Sequence, residues 1–204
     1  STFVRLYEML DSRPADRLRH TGFMTLSSHE PFEVPYNRLK DKRQNSFAYT
    51  DHCLGEFIDR LKQLPVWNNL LVICLPDHGS SPTFNVTSPT FYHIPMLWLG
   101  GAIKAPAVIH TLMNQSDMPA TLLGQLGLPH QDFKYSRNIF STSYTYPFAY
   151  STFSDGFMFK DSTGVTIFDN AARKPVYNEP APDGAREEKG MAILQTSYDQ
   201  LGEN

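Results

Sequence analysis

Long apolar runs, cysteine and excess charge are all scarce in this sequence, and each scarcity removes a class of protein. No stretch approaches the roughly 18 consecutive apolar residues that a membrane helix requires, and no basic-then-apolar leader opens the chain. The chain as it stands is therefore expected to be soluble. Cysteine occurs twice, at Cys53 and Cys74, which builds neither a disulfide framework nor a zinc-finger spacing. Cys74 sits inside an apolar run and reads as a small buried side chain. Lys and Arg number 18 against 21 Asp and Glu, a formal net charge of −3, so the basic face that nucleic acid draws is missing. Repeats and low-complexity tracts are absent too. What remains is ordinary globular material: 204 residues, 41% hydrophobic and 19% charged, enough for one domain with a sizeable core or a large part of a bigger one.

Apolar spacing outlines the elements. Phe3, Val4, Leu6, Tyr7 and Leu10 fall at helical intervals. The short apolar run Gly22 to Leu26 reads as a strand, leading into a loop, Ser27-Ser28-His29-Glu30-Pro31-Phe32. The clearest helix is expected from Ser46 to Leu64, with Phe47, Leu54, Phe57, Ile58, Leu61 and Leu64 on one stripe and Pro65 as its stop. Leu70 to Leu75 is continuously apolar and of strand length, the pattern of a central strand covered on both faces in a parallel sheet. A helix feeding such a strand places the chain in the α/β class. A second buried strand is expected at His93 to Leu99. Ser116 to Gly127 carries a full helix grammar, with Ser116 or Asp117 as cap, Pro119 in the first turn and Gly127 as stop. After residue 145 short strands (148–153, 157–160, 165–168) alternate with Asp/Gly turns, an antiparallel meander, and an amphipathic helix over about 187–201 ends the chain. The division expected is 1–145 for the α/β core and 146–204 for the meander and terminal helix.

Asp77-His78-Gly79 follows the apolar strand immediately. Ligands of open α/β sheets bind beyond the carboxyl ends of strands, so this loop lies where a site belongs. Adjacent strand residues point to opposite faces, but a glycine-containing loop lets a carboxylate and an imidazole turn toward one ion. That donor pair suits zinc or manganese; a turn with a capping Asp and a surface His is the plain alternative. Asp51-His52 is a second such pair, but mid-helix neighbours diverge by about 100°, so it reads as helix surface. His29 reads as a loop residue. His93, ahead of Pro95, suits a hydrogen-bonded structural role as well as one beside phosphate. Arg13, Arg17, Arg19, Lys40, Lys42 and Arg43 flank the His29 loop and read as solvated surface, or as attraction for an anionic headgroup. Ser80 and Ser81 follow the pair and are candidates for reaching a substrate there.

The run Asn45-Ser-Phe-Ala-Tyr-Thr-Asp-His-Cys-Leu-Gly-Glu-Phe-Ile-Asp-Arg-Leu-Lys62, followed by Asn69-Leu-Leu-Val-Ile-Cys-Leu-Pro-Asp-His-Gly79, resembles the sulfatase/alkaline phosphatase superfamily. There a helix of pattern YxDxxLGxFIxxLK precedes a strand ending in Asp-His-Gly. His93 to Gly100 resembles the next core strand, and Gln115 to Gly127 the VDxxPTLLxxLG helix. Ser28 to Phe32 is similar to the H-x-P-F loop of lipoteichoic acid synthase-like phosphoglycerol transferases. The motifs stand in the family's order over about residues 20–170.

The resemblance implies a mostly parallel sheet flanked by helices, with the N-terminal part of the domain missing. It implies that Asp77 and His78 bind a divalent metal (manganese or zinc, with magnesium or calcium as alternatives) and that His29 contacts the substrate phosphate; His93 is the second candidate for the substrate side. It implies a two-step transfer from a phosphatidylglycerol-type lipid through a Thr nucleophile. That Thr and the remaining metal ligands precede everything matched here, so this chain is expected to be inactive alone. Partners are then a lipid headgroup or another phospho- or sulfo-ester, with no nucleic acid, and a membrane reached through segments before Ser1, at the extracytoplasmic face. Oligomeric state is left open, although a fragment lacking strands exposes a sheet edge that favours association. Sulfuric ester hydrolysis, phosphoethanolamine transfer and a non-catalytic binding relative are the rivals. The second normally adds a His soon after Asp-His-Gly, and none lies between Ser80 and Tyr92. The first needs a Cys or Ser near the domain start, and Cys53 and Cys74 lie in other elements.

Overall fold

The computed structural model describes residues 2–12, 18–80 and 85–202. Arg13, Arg17 and Ser81, named above, lie outside the described residues. The chain is α/β and divides into two compact units, Ser1–Cys74 with Met96–Pro106, and Leu75–Pro95 with Ala107–Asn204.

The first unit holds α1 (Thr2–Asp11), α2 (Lys42–Leu61), β1 (Val72–Cys74) and β2 (Leu97–Leu99). α2 begins where Asp41 accepts a hydrogen bond from the Gln44 backbone N–H at 2.8 Å, an N-cap five residues ahead of the expected start. Its lead-in is shaped by the buried Asn45. The Asn45 Oδ1 accepts from the Arg38 and Leu39 N–H groups, and its Nδ2 donates to the Leu39 and Asp41 carbonyls. Phe57 and Leu61 of the expected stripe are buried, whereas Phe47 is exposed. Phe57 meets the Phe3 ring of α1 at 5.1 Å, and Arg60 lies 3.9 Å over Tyr7. The helix ends at Leu61 and a 3-10 turn opens on Pro65, as that proline's missing N–H demands.

Two expectations are corrected here. Gly22 to Leu26 is irregular chain rather than a strand; Met24 and Leu26 are exposed, and Phe23 packs its ring on Phe3 at 5.1 Å instead of joining a ladder. The parallel arrangement expected from the apolar run gives way to an antiparallel pair, with Val72 opposite Leu99, Ile73 opposite Trp98 and Cys74 opposite Leu97. Both strands are three residues long and half-buried at most, shorter than Leu70 to Leu75 and His93 to Leu99. Continuous apolarity reports burial but carries no information about the partner's direction.

The second unit holds α3 (Met118–Gln125), β3 (Ala149–Phe153), β4 (Gly156–Asp161), β5 (Gly164–Asp169), β6 (Lys174–Glu179) and α4 (Gly184–Gly202). β3 to β6 form an antiparallel meander in chain order. Phe157, Phe159 and Phe168 are its buried centre, with Phe148, Tyr150 and the α4 residues Ile193 and Leu194 packed against them. Phe157 and Phe168, paired across the ladder, stack at 5.5 Å and 9°. β6 went unseen in the sequence because Pro175 interrupts its pattern; it is tolerated on an edge strand, where a ladder N–H can be spared. α3 is preceded by a 3-10 turn, Gln115–Asp117, and Gly127 at φ +66° turns the chain out of the helix as expected. No helix among the described residues is long and apolar enough to cross a membrane.

Candidate functional site

The Asp77 loop stands three residues beyond Cys74 along the chain and is shaped by its own backbone. The Asp77 Oδ1 accepts from the His78 N–H at 3.1 Å. The His78 Nδ1 lies 2.8 Å from the Gly79 carbonyl. A carbonyl can only accept, so Nδ1 carries a proton, and in the neutral ring Nε2 is then the lone-pair nitrogen. That lone-pair nitrogen sits 3.8 Å from the Asp77 Oδ2, and both side chains are largely open to solvent, at 66% and 77% exposure. Glycine at 79 has a steric cause: a Cβ there would fall 1.7 Å from the Phe91 carbonyl oxygen.

Two neighbouring segments hold this loop. Pro89–Tyr92 is a 3-10 turn whose buried Phe91 presents that carbonyl to Gly79. The Tyr92 hydroxyl donates to the Val86 carbonyl at 2.7 Å, and burial pushes its pKa up to about 12. His93 follows this turn, with its backbone N–H 3.3 Å from the Thr90 carbonyl and its side chain exposed. On another side Gln115 donates through Nε2 to the Pro76 carbonyl and, at 3.2 Å, to the Asp77 carbonyl. Gln115 opens the 3-10 turn capped by Asn114, where Asp117 completes a capping box. The cap is thus Asn114 rather than Ser116 or Asp117: Asp117 holds the third position of the box, makes no side-chain cap bond to α3, and is the buried partner of Arg137.

The Asp77–His78 pair fits two positions of a metal centre. Ligands about 2.0–2.1 Å from a tetrahedral ion lie about 3.3 Å apart, so the 3.8 Å gap closes with a small rotamer adjustment. A ligating His commonly donates its second ring N–H to a carbonyl, and the Gly79 oxygen stands at that distance from the His78 Nδ1. Among the described residues no group of three or more His, Cys, Asp or Glu could hold an ion by itself.

His29 belongs to the other compact unit. Its loop is tied to α2 by a 2.7 Å hydroxyl contact between Ser27 and Thr50, and its N–H donates to the Leu26 carbonyl. The exposed ring uses Nδ1 toward the Glu30 carbonyl at 2.9 Å, which leaves Nε2 out of that contact. Glu30–Pro31 is cis and Phe32 has φ +58°. Asp51 and His52 are exposed on α2, and His52 pairs with Glu56 at 3.5 Å, the helix surface anticipated. Cys53 and Cys74 are free, and burial raises the Cys74 thiol pKa. Arg19, Lys40 and Lys42 are exposed, while Arg43 lies 5.6 Å over Phe47. The residue that sequence reasoning passed over is Gln115: its place at the head of the α3 motif was visible, but its reach to residues 76 and 77 was not.

Three comparisons bear on this arrangement. The sulfatase family model matches residues 5–128. The chain is 34% identical over 91 residues to arylsulfatase K of Canis lupus familiaris, covering 40% of this chain and 16% of that protein. Its fold is similar to the crystal structure of a protein in the alkaline phosphatase superfamily from Vibrio parahaemolyticus, with a TM-score of 0.67 and 22% identity, over 87% of this chain and 48% of that one. The chain thus spans about a sixth of the curated relative and about half of the structural neighbour. With the match running through the capped helix, the Asp-His-Gly loop and α3, the chain belongs to the sulfatase family.

Proposed function

We propose that Asp77 and His78 hold a divalent metal ion, manganese or zinc, in the reaction centre of an enzyme that acts on phospho- or sulfo-esters. The observation that carries this is the His78 ring, whose Nδ1 is committed to the Gly79 carbonyl while Nε2 faces the Asp77 carboxylate. Members of the family generally depend on a divalent ion. When bound, such an ion neutralises charge on ester oxygens and activates a coordinated hydroxyl. The work of this chain is to present a carboxylate oxygen and an imidazole nitrogen from one loop, with Gly79 letting the backbone pass against Phe91. His29 and His93 are proposed to face the ester group, each able to donate a hydrogen bond to an anionic oxygen when protonated.

The finer reading is transfer of phosphoglycerol from a phosphatidylglycerol-type lipid through a covalent intermediate on a Thr outside residues 1–204, at the extracytoplasmic face of a membrane. The His29-Glu30-Pro31-Phe32 loop supports it. Sulfate-ester hydrolysis is the second reading, favoured by the 34% identity to an arylsulfatase. On either reading residues 1–145 belong to the catalytic core and 146–204 form an attached antiparallel subdomain.

The test is turnover by the full-length protein offered phosphatidylglycerol, phosphatidylethanolamine and an aryl sulfate, each with manganese or zinc. Glycerol-phosphate transfer that vanishes in Asp77→Ala is the expected result. Sulfate release with the same dependence moves the protein to the second reading. Full activity in Asp77→Ala defeats the metal assignment.

A further inference from the structure

The Asp77 and His78 side chains are mostly solvent-exposed, so packing does not orient them. Their direction is set by the main chain of residues 76–79, and that main chain is anchored at two places. One is steric, Gly79 against the Phe91 carbonyl. The other is polar, the single amide nitrogen of Gln115 serving two consecutive carbonyls, Pro76 and Asp77. An amide NH2 has two protons, so it can bond both carbonyls at once and resist rotation of the peptide plane between them.

Gln115 can act as an anchor because its own backbone is held. Asn114, just before it, caps the turn, accepts from the Tyr150 N–H through Oδ1 at 2.6 Å and donates from Nδ2 toward the Phe148 carbonyl at 3.4 Å. Asp117, just after, receives the Asn114 N–H at 2.9 Å and is gripped by Arg137. Arg137 in turn reaches the Phe148 carbonyl at 3.0 Å. Hydrogen bonds from β3 and from Arg137 therefore hold the residues on either side of Gln115, and its amide reaches on to the carbonyl of Asp77 itself.

We propose that Gln115 is a positioning residue for the metal-binding loop, fixing the Asp77 backbone so that Oδ2 and the His78 Nε2 converge before any ion arrives. This rests on the metal reading given above. Partners in the outer shell of metal sites typically contribute about 10–100-fold in affinity. Gln115 acts on the backbone of a ligand rather than on its ligating atoms, which places it at the lower end.

The experiment uses the metal-free full-length protein with Gln115→Met, which keeps the volume and removes both donors, and Gln115→Lys, which restores a donor. Manganese affinity is read by titration calorimetry, amide exchange of residues 77–79 by mass spectrometry, and thermal unfolding of the metal-free form serves as a check on folding. Expected are about tenfold weaker manganese binding in Gln115→Met, faster exchange at 77–79 without metal, an unfolding midpoint near that of the parent, and recovered affinity in Gln115→Lys. Wild-type affinity in Gln115→Met overturns the proposal and leaves the metal assignment standing. If the parent binds no manganese and Asp77→Ala behaves identically, the metal assignment falls and the positioning role falls with it. A large drop in unfolding midpoint with unchanged exchange at 77–79 makes Gln115 a stabiliser of the fold and likewise overturns the proposal.

Discussion

Arg137 grips Asp117 with two edges at once: its Nε lies 2.9 Å from Oδ1 and its Nη2 2.7 Å from Oδ2, while its backbone N–H reaches Oδ1 at 3.0 Å. Asp117 has no solvent exposure, and the guanidinium also lies 3.8 Å over the Phe148 ring. A bidentate pair of this kind joins the α3 entry to the Arg137 segment with fixed geometry, and Arg137 carries the link on to the Phe148 carbonyl just ahead of β3.

Removing one member leaves the other charge stranded. Asp117→Ala is expected to cost about 3–5 kcal/mol, read from urea unfolding. Asp117→Ala combined with Arg137→Met is expected to recover part of that loss, because no uncompensated cation remains. Equal cost in the single and double variants would show that the pair contributes through packing alone.

Gly79→Ala tests the geometry of the loop directly. The new methyl would sit 1.7 Å from the Phe91 carbonyl oxygen, so either the 77–79 backbone or the 89–92 turn must shift. A loss of about 1–3 kcal/mol is expected, together with manganese binding weakened more than in Gln115→Met. Unchanged calorimetric affinity in Gly79→Ala would mean that the loop adapts and that its observed shape is not required.

Two helical glycines are expected to respond with opposite signs. Gly55 on α2 has nothing within 4 Å of a Cβ, so Gly55→Ala gains about 0.5–1 kcal/mol from backbone entropy. At Gly190 on α4 a Cβ would fall 2.0 Å from the Phe157 ring. Overpacking of about 1–3 kcal/mol exceeds that gain, and Gly190→Ala is expected to lower the thermal midpoint. Stabilisation by both substitutions would mean that α4 does not dock closely on Phe157.

Acid should weaken the meander through Asp161. Burial pushes its pKa up, but hydrogen bonds from Thr163 and Tyr146 and the nearby Lys189 charge outweigh that and bring it down to about 2. A carboxyl depressed in the folded state stabilises above its unfolded pKa near 4 and loses that contribution as pH falls toward 2. The loss expected between about pH 4 and pH 2 is about 2 kcal/mol, and Asp161→Asn should flatten the urea midpoint over that window. An equally steep acid limb in the variant would assign the effect to other carboxyls.

Local pattern determined a good deal of this protein. The stripe through Phe57 and Leu61 predicts α2, because helical period needs no partner to be visible. Asp/Gly turns mark the meander, since those residues suit tight reversals wherever they occur. Asp77-His78-Gly79 after an apolar strand identifies the candidate metal loop, and with its neighbours the family. Tertiary structure decided the rest, for reasons that no window of sequence contains. The direction of β2 against β1 depends on how the chain returns after residue 75, so an apolar run read as parallel became an antiparallel pair. Gly22 to Leu26 had strand composition but packs Phe23 on Phe3, and β6 had a proline yet found an edge. The tautomer of His78, the need for glycine at 79 and the hold of Gln115 on Asp77 all arise from contacts with carbonyl oxygens. Every residue carries a carbonyl, so sequence cannot say which one a donor will meet; only the folded path of the chain brings the two together.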